Sequence, residues 1–128
     1  MTKPKILIIE DDADQIVMYQ TKFELEGLSL LAAEKAQEGL DLAKKEKPDL
    51  ILLDLLLKEL TVPTGFEILK KLKADEATKD IPVVVLTNFG TQEAKEKSKN
   101  LGARDFIIKA QVTPARLVEK VREILKRK

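Results

Sequence analysis

The sequence predicts an α/β protein in which five parallel strands alternate with five helices, a (βα)5 doubly wound sheet. Short apolar runs alternate along the chain with longer segments of helical periodicity. Three of the runs are almost continuously apolar, which is typical of strands buried on both faces of a parallel sheet. The chain has 128 residues, enough for a single domain over residues 1–128 but too few for an eight-stranded barrel.

The elements follow one another without a linker, a repeat or a low-complexity tract. The predicted strands are 5–9, 28–32, 49–53, 81–86 and 105–109. The run at 28–32 is the weakest, so we expect it at an edge of the sheet. The predicted helices are 13–26, 35–46, 65–74, 91–100 and 114–127. Gly27 is a natural stop for the first helix, and Thr113 before Pro114 is a natural start for the last.

Composition excludes several classes of function. The chain carries 23 basic and 22 acidic residues, and its net charge of +1 gives no sign of attraction to nucleic acid or to a membrane surface. It has no cysteine and no histidine, which excludes disulfides, a Ser-His-Asp triad and the usual zinc sites. The N-terminal segment MTKPKILIIEDD is a poor signal peptide, because acidic residues follow its short apolar run. We expect a cytoplasmic protein that contacts neither nucleic acid nor membrane directly.

Asp54 interrupts the apolar stretch DLILLDLLL at 49–57. Carboxylates are almost never fully buried unless they are paired, coordinated or protonated. The third predicted strand ends just before Asp54. We therefore expect Asp54 to lie at the crevice beyond the carboxyl ends of the strands, where doubly wound sheets bind their ligands.

Other charged and polar residues end neighbouring strands at the same edge. The first strand ends in Glu10 and Asp11, the fourth in Thr87 and the fifth in Lys109. Three carboxylates together repel one another unless a cation neutralises them, and oxygen ligands alone suit Mg²⁺. With a lysine and a hydroxyl on the other side, this set predicts a site for a phosphoryl group, which Asp54 accepts as the nucleophile.

Each of these residues also has a simpler interpretation. Asp11 or Asp12 can cap the first helix, with Asp14 in its favourable first turn. A threonine or a lysine at the end of a strand is unremarkable by itself. The functional interpretation depends on all of them falling on one rim, on four different strands.

Five segments resemble the receiver domains of response regulators in two-component signalling, of the single-domain, chemotaxis-regulator-like type. They are KILIIEDD, KPDLILLDLLL, GFEILKKLK, IPVVVLTNFG and LGARDFIIKA. The resemblance covers about residues 4–127 and implies a flavodoxin-like sheet with strand order 2-1-3-4-5. It also implies that Asp54 is the phosphoacceptor, and that Glu10, Asp11 and Asp54 bind Mg²⁺ together with the backbone carbonyl of Leu56.

The same resemblance assigns the remaining roles. Thr87 is the switch hydroxyl, Lys109 is the family's lysine and Phe106 holds the aromatic switch position. The phosphoryl group comes from a histidine kinase or a histidine phosphotransfer protein. The face made by the fourth helix, the fifth strand and the fifth helix then changes shape and engages a partner. No output domain follows Lys128 in this sequence, so we expect a separate effector molecule, unless the sequence is a fragment of a longer chain.

The sequence departs from the family pattern in two loops. The usual Lys-Pro after the fifth strand is Lys109-Ala110 here, for which we expect a trans bond because a cis bond before alanine costs about 2.5–4 kcal/mol. The loop 58–64 is about three residues longer than usual, and is either a contact surface or a loop packed on itself.

A third departure concerns the path of water to the phosphorylated site. The family positions that flank this path hold the apolar residues Leu56 and Phe89. They predict slow self-dephosphorylation, unless Phe89 points to solvent or packs on the fourth helix and leaves the path open.

Two other functions remain open at this point. A Mg²⁺-dependent phosphatase with Asp54 as its nucleophile needs a second carboxylate just after it as general acid or base, and leucines occupy 55–57. A receiver-like scaffold that binds partners without phosphorylation is compatible with the sequence. We expect a switch rather than an enzyme, with self-phosphorylation and self-dephosphorylation as its only chemistry.

Overall fold

The structure, a computed structural model, describes residues 3–57 and 65–127. The described strands are β1 Lys5–Ile9, β2 Ser29–Ala33, β3 Leu50–Leu53, β4 Val83–Thr87 and β5 Asp105–Ile108. The described helices are α1 Ala13–Leu25, α2 Ala36–Glu46, α3 Gly65–Ala74, α4 Gln92–Asn100 and α5 Pro114–Lys126. Every boundary lies within one or two residues of its prediction. The prediction that the longer loop 58–64 is a contact surface or a loop packed on itself concerns residues outside the described ranges.

The five strands form one parallel sheet with the order β2-β1-β3-β4-β5. This order confirms the predicted fold class and places β2 at an edge, as expected. The order changes direction between β1 and β3, because the chain adds β2 on one side of β1 and all later strands on the other. The carboxyl ends of β1 and β3 therefore border the crevice in which such sheets bind ligands.

Alternate side chains of the central strands pack in two separate cores, one on each face of the sheet. In β1, Ile6 and Ile8 pack against α1 and α5, whereas Leu7 and Ile9 pack against α2 and α3. This is the two-residue period of a strand, and it explains why β1 and β3 read as unbroken apolar runs. Within the described ranges, no helix combines the length and the hydropathy that crossing a bilayer requires.

The ends of the helices follow the predicted signals. The Asp12 side chain caps α1 by accepting hydrogen bonds from the backbone N–H groups of Asp14 and Gln15, at 3.0 and 3.2 Å. Gly27 follows the end of α1 with a φ of +82°, a conformation that glycine adopts without strain. The Thr113 hydroxyl caps α5 by accepting from an N–H of its first turn. The helix-capping interpretation is thus correct for Asp12.

Helix α4 has the smallest apolar face of the five. It buries only Ala94 and Ser98, against a small cluster that includes Leu55 of the β3 end and Val85 of β4. Three phenylalanines from neighbouring segments pack around the same cluster: Phe66, Phe89 and Phe106. The helix is therefore held largely by side chains that it does not itself supply.

Strand β5 leads directly into a short 3-10 turn, Lys109–Gln111. No peptide bond in residues 3–57 or 65–127 is cis, so the Lys109–Ala110 bond is trans, as predicted.

Candidate functional site

Asp54 lies at the point where β3 ends and the sheet opens. Its backbone N–H donates to the carbonyl of Ile9 at 3.1 Å, which extends the pairing of β1 with β3 by one step. The residue is only 6% exposed. It is therefore a buried carboxylate at the mouth of the crevice, fixed by the backbone on which it stands.

Three donors from the described residues contact the Asp54 carboxylate. Its Oδ1 atom accepts from the Thr87 hydroxyl at 2.7 Å and from the backbone N–H of Leu56 at 3.0 Å. Its Oδ2 atom accepts from the Lys109 ammonium at 2.6 Å. These contacts explain how an apolar stretch accommodates a carboxylate, since hydrogen bonds to charged groups are among the stronger ones in proteins.

Glu10 stands beside Asp54 because of the register of the sheet. Ile9 pairs with Leu53, so the residues that follow them, Glu10 and Asp54, lie next to each other. Glu10 is 1% exposed and also forms an ion pair with Lys109. One ammonium group thus bridges two buried carboxylates.

The charges in this site are not balanced. Burial, and then the adjacent Asp54 carboxylate, raise the pKa of Glu10 from 4.5 to about 7. Burial alone lowers the pKa of Lys109, but its hydrogen bonds to Asp54 and Glu10 outweigh that effect and leave the pKa above its ordinary value. A second positive charge in the crevice would therefore be favourable.

The predicted Mg²⁺ ligands are only partly assembled. Glu10 and Asp54 converge, while Asp11 is half-buried and its backbone N–H donates to Oε2 of Glu10 at 3.1 Å. Among the residues that the structure describes, no group of three acidic side chains is arranged to hold a metal ion. Even so, two oxygen-only ligands with surplus negative charge fit a hard cation. The assignment of Glu10, Asp11, Asp54 and the Leu56 carbonyl remains a prediction.

Thr87 is fully buried at the end of β4, and its hydroxyl has a fixed direction. It donates to Asp54 while it accepts from the backbone N–H of Phe89 at 3.2 Å. Phe106, on β5, is half-buried beside Ala94 of α4. The two predicted switch residues thus lie on neighbouring strands, one facing Asp54 and the other facing α4.

The two apolar residues expected to flank the path of water differ in burial. Leu56, two residues beyond Asp54, is 43% exposed. Phe89 is half-buried and packs in the cluster under α4 together with Ala94. This packing favours the alternative in which Phe89 leaves the path of water open.

Sequence reasoning missed two residues that shape the site. A Cβ atom on Gly65 would lie 2.5 Å from the Leu55 Cα atom and 2.6 Å from the Asp54 carbonyl oxygen, so only glycine permits α3 to begin there. Its N–H donates to the Leu55 carbonyl at 3.2 Å. Asn88 accepts a hydrogen bond from the backbone of Ala110. A glycine at a predicted helix start could have indicated this close backbone contact. No local sequence pattern predicts that Asn88 binds a residue of another loop.

Comparison with known proteins gives one consistent result. The profile of the family described as "Response regulator receiver domain" matches residues 6–122. The polar-differentiation response regulator DivK of Brucella ovis is 33% identical over 125 residues, which are 98% of each chain. A solved CheY-like response regulator receiver domain protein from Methanospirillum hungatei JF-1 superposes with a TM-score of 0.87 at 30% identity, covering 99% of this chain and 96% of that one.

A longer relative matches over the same region. The phosphate regulon transcriptional regulatory protein PhoB of Pseudomonas aeruginosa is 36% identical over 127 residues, which are 99% of this chain but 54% of that protein. The chain spans about half the length of the first three curated relatives that it matches.

Proposed function

Since the chain belongs to the response regulator receiver domain family, we propose that it is a signalling switch in which Asp54 accepts a phosphoryl group. One observation carries the proposal: a buried carboxylate at the change of strand order holds an ammonium on one oxygen and a hydroxyl on the other. These are the groups that a phosphorylated aspartate requires, because the transferred group brings negative charge and acceptor oxygens into the crevice.

The transfer is a displacement at phosphorus. An oxygen of the Asp54 carboxylate attacks the phosphorus of a phosphohistidine, the P–N bond breaks, and the imidazole leaves with the bonding electron pair and takes up a proton. The product is an acyl phosphate on Asp54. Glu10 and Asp11, together with Asp54 and the Leu56 carbonyl, would hold Mg²⁺, which supplies positive charge for the phosphoryl oxygens.

The two donors that contact Asp54 then act on the transferred group. Lys109, which contacts both Asp54 and Glu10, follows the new negative charge and stabilises the phosphoryl oxygens. The Thr87 hydroxyl, now a donor to Asp54, turns to a phosphoryl oxygen. That rotation breaks the contact of the hydroxyl with the Phe89 N–H and loosens the loop that precedes α4.

We propose that the face made by α4, β5 and α5 conveys this change to a partner. Phe106 supports the proposal because it lies on β5 beside Ala94, the main apolar anchor of α4. The phosphoryl donor is a histidine kinase or a histidine phosphotransfer protein, and the effector is a protein that binds this face. A cytoplasmic location fits such partners and stays a prediction.

A mass measurement tests the proposal. The chain is incubated with Mg²⁺ and acetyl phosphate and then weighed, and we expect a gain of one phosphoryl group that is absent in Asp54→Asn. A chain that gains no mass, although it melts as a folded protein, is instead a scaffold that works without phosphorylation. Steady release of phosphate from many phosphate esters, lost in Asp54→Asn, would indicate a phosphatase.

A further inference from the structure

The loops that follow β4 and β5 are joined by a side-chain hydrogen bond. The Asn88 Oδ1 atom accepts from the backbone N–H of Ala110 at 3.0 Å. Thr87 and Ile108 are the last pair of the β4–β5 ladder. The bond therefore ties the two chains together just beyond the point where backbone pairing stops.

The 3-10 turn after β5 needs such an acceptor. The first N–H groups of any helical turn have no partner within the turn. The residue before this turn, Ile108, gives it no side-chain cap. Alanine at 110 brings an N–H group that a proline cannot supply, and Asn88 provides its acceptor from the neighbouring loop. Asn88 thus caps the turn from outside.

Asn88 and its partner Ala110 each directly follow a residue that donates to Asp54. The residue before it, Thr87, donates to Oδ1 of Asp54, and the residue before Ala110, Lys109, donates to Oδ2. Moving either loop relative to the other would therefore move one donor relative to the other. The Asn88–Ala110 hydrogen bond links the two loops one residue beyond each donor.

A second contact supports the same arrangement. A Cβ atom on Gly90 would lie 2.7 Å from the Ile108 Cδ1 atom, so the β4–α4 loop packs directly on the Ile108 side chain at the end of β5. The Gly90 N–H also donates to the Asn88 carbonyl at 3.0 Å. This bond holds the main chain of Asn88 within the β4–α4 loop. The Asn88 side chain in turn binds the loop that follows β5.

We propose that Asn88 is a positioning residue for Lys109: by capping the turn Lys109–Gln111, it fixes the direction from which the ammonium reaches Asp54. The inference deepens the proposed function and rests on it for the role of Lys109 in phosphoryl transfer. The position of Lys109, in contrast, can be measured without any phosphoryl donor.

The experiment compares the parent chain with Asn88→Ala, Asn88→Asp and Asn100→Ala. The aspartate keeps an acceptor oxygen at the same place, and Asn100, exposed at the end of α4, is the matched asparagine control. In metal-free protein, NMR measures hydrogen exchange of the Ala110 amide and the resonances of the Lys109 ε-methylene group. A second measurement follows the rate of mass gain with Mg²⁺ and acetyl phosphate.

We expect Asn88→Ala to speed exchange of the Ala110 amide about two- to tenfold, which is the usual net effect of one lost hydrogen bond. The Lys109 resonance should move towards those of surface lysines, and phosphorylation should slow by a similar factor. Asn88→Asp should restore all three, and Asn100→Ala should match the parent.

Three results overturn the proposal. In the first, the Ala110 amide exchanges faster in Asn88→Ala while the Lys109 resonance stays unchanged, so that Asn88 is a cap without influence on the lysine. In the second, Asn88→Ala matches the parent throughout. In the third, Asn88→Asp behaves as Asn88→Ala does. If the parent itself takes no phosphoryl group, the proposed function fails, while the Lys109 resonance still decides whether Asn88 positions the lysine.

Discussion

At the scale of single residues, the site holds more negative charge than its lysine neutralises. Glu10 and Asp54 are both buried, and Lys109 contacts both. The raised pKa of Glu10, caused first by burial and then by Asp54, expresses this imbalance. A receiver with such a site is poised to take up either a proton or a cation. The two choices differ in their dependence on pH.

The first prediction concerns stability without a divalent cation. The pKa of Glu10 is about 7 in the folded chain against 4.5 for the free group, so between these values the folded chain keeps a proton that the unfolded chain has released. This contribution to stability is fully present below pH 4.5 and is lost as the pH rises through about 7. Urea unfolding in EDTA at about pH 5 and about pH 8 should show a larger loss of stability for the parent than for Glu10→Gln. Equal losses would contradict the assignment.

The second prediction concerns the lifetime of the phosphorylated state. Leu56 is exposed beside Asp54, whereas Phe89 packs under α4. A polar residue at 56 can position the attacking water, and each tenfold change in rate needs only about 1.4 kcal/mol of barrier. After removal of the phosphodonor, Leu56→Asn should lose its phosphoryl group several times faster than the parent. Phe89→Glu should add little to that rate. Decay of Leu56→Asn at the parent rate would mean that Leu56 does not control the water.

The sequence located most of the polar site, because residues that end parallel strands share one edge of the sheet. Asp54, Thr87 and Lys109 were predicted to meet, and they do. Finer details depend on contacts between loops, which no local pattern encodes. The Phe89 N–H that orients the Thr87 hydroxyl is one of these, and the Asn88 cap is another.

At the scale of elements, α4 differs from the other helices in how it is held. Its two buried residues are small, and its cluster is completed by phenylalanines from the α3, β4–α4 and β5 segments. Lys97 adds one contact, with its ammonium 4.4 Å from the centre of the Phe66 ring, a type of interaction worth about 0.5–1 kcal/mol at exposed sites. The weak apolar face of α4 is evident in its sequence, QEAKEKSKN. Its aromatic support is not, because it joins three distant segments.

The third prediction concerns the motion of α4. Few buried apolar groups mean a low free energy of local opening, and a two-state switch requires an element that can move. Amide protons of α4 should exchange with solvent at least about tenfold faster than those of α5, which corresponds to about 1.4 kcal/mol. Helix α5 is the control because it buries four apolar residues in the main core: Leu117, Val118, Val121 and Ile124. Equal protection of the two helices would contradict the prediction.

At the scale of the whole molecule, one sheet serves both as scaffold and as site. Its two apolar cores hold the strands on either face, and its carboxyl edge collects the charged residues. The near agreement of predicted and observed element boundaries has a physical reason, since every central strand is buried on both faces and every helix but α4 buries at least two apolar side chains. The sequence left undecided how close the acidic side chains come to one another. That distance depends on the cation, the proton or the lysine between them.

The fourth prediction concerns the effect of Mg²⁺ on the whole fold. A cation that binds only the folded chain stabilises it, by about 2.7 kcal/mol at a hundred times its dissociation constant. The parent should therefore melt at a higher temperature in MgCl2 than in NaCl of equal ionic strength. Asp11→Asn and Asp54→Asn should each reduce that increase. An undiminished increase in Asp11→Asn would remove Asp11 from the metal site.

The contact of Gly65 with the backbone of Asp54 and Leu55 has a consequence for how this protein can be altered. The chain leaves the sheet at Leu55 and is hydrogen-bonded back to the same residue at Gly65. A chain segment whose two ends are held together can be lengthened at little cost in free energy, about 0.6 kcal/mol for each doubling of its length. We therefore expect that insertions between Leu55 and Gly65, whether they arise in evolution or carry an epitope tag or a fluorescent reporter, leave Asp54 in its place.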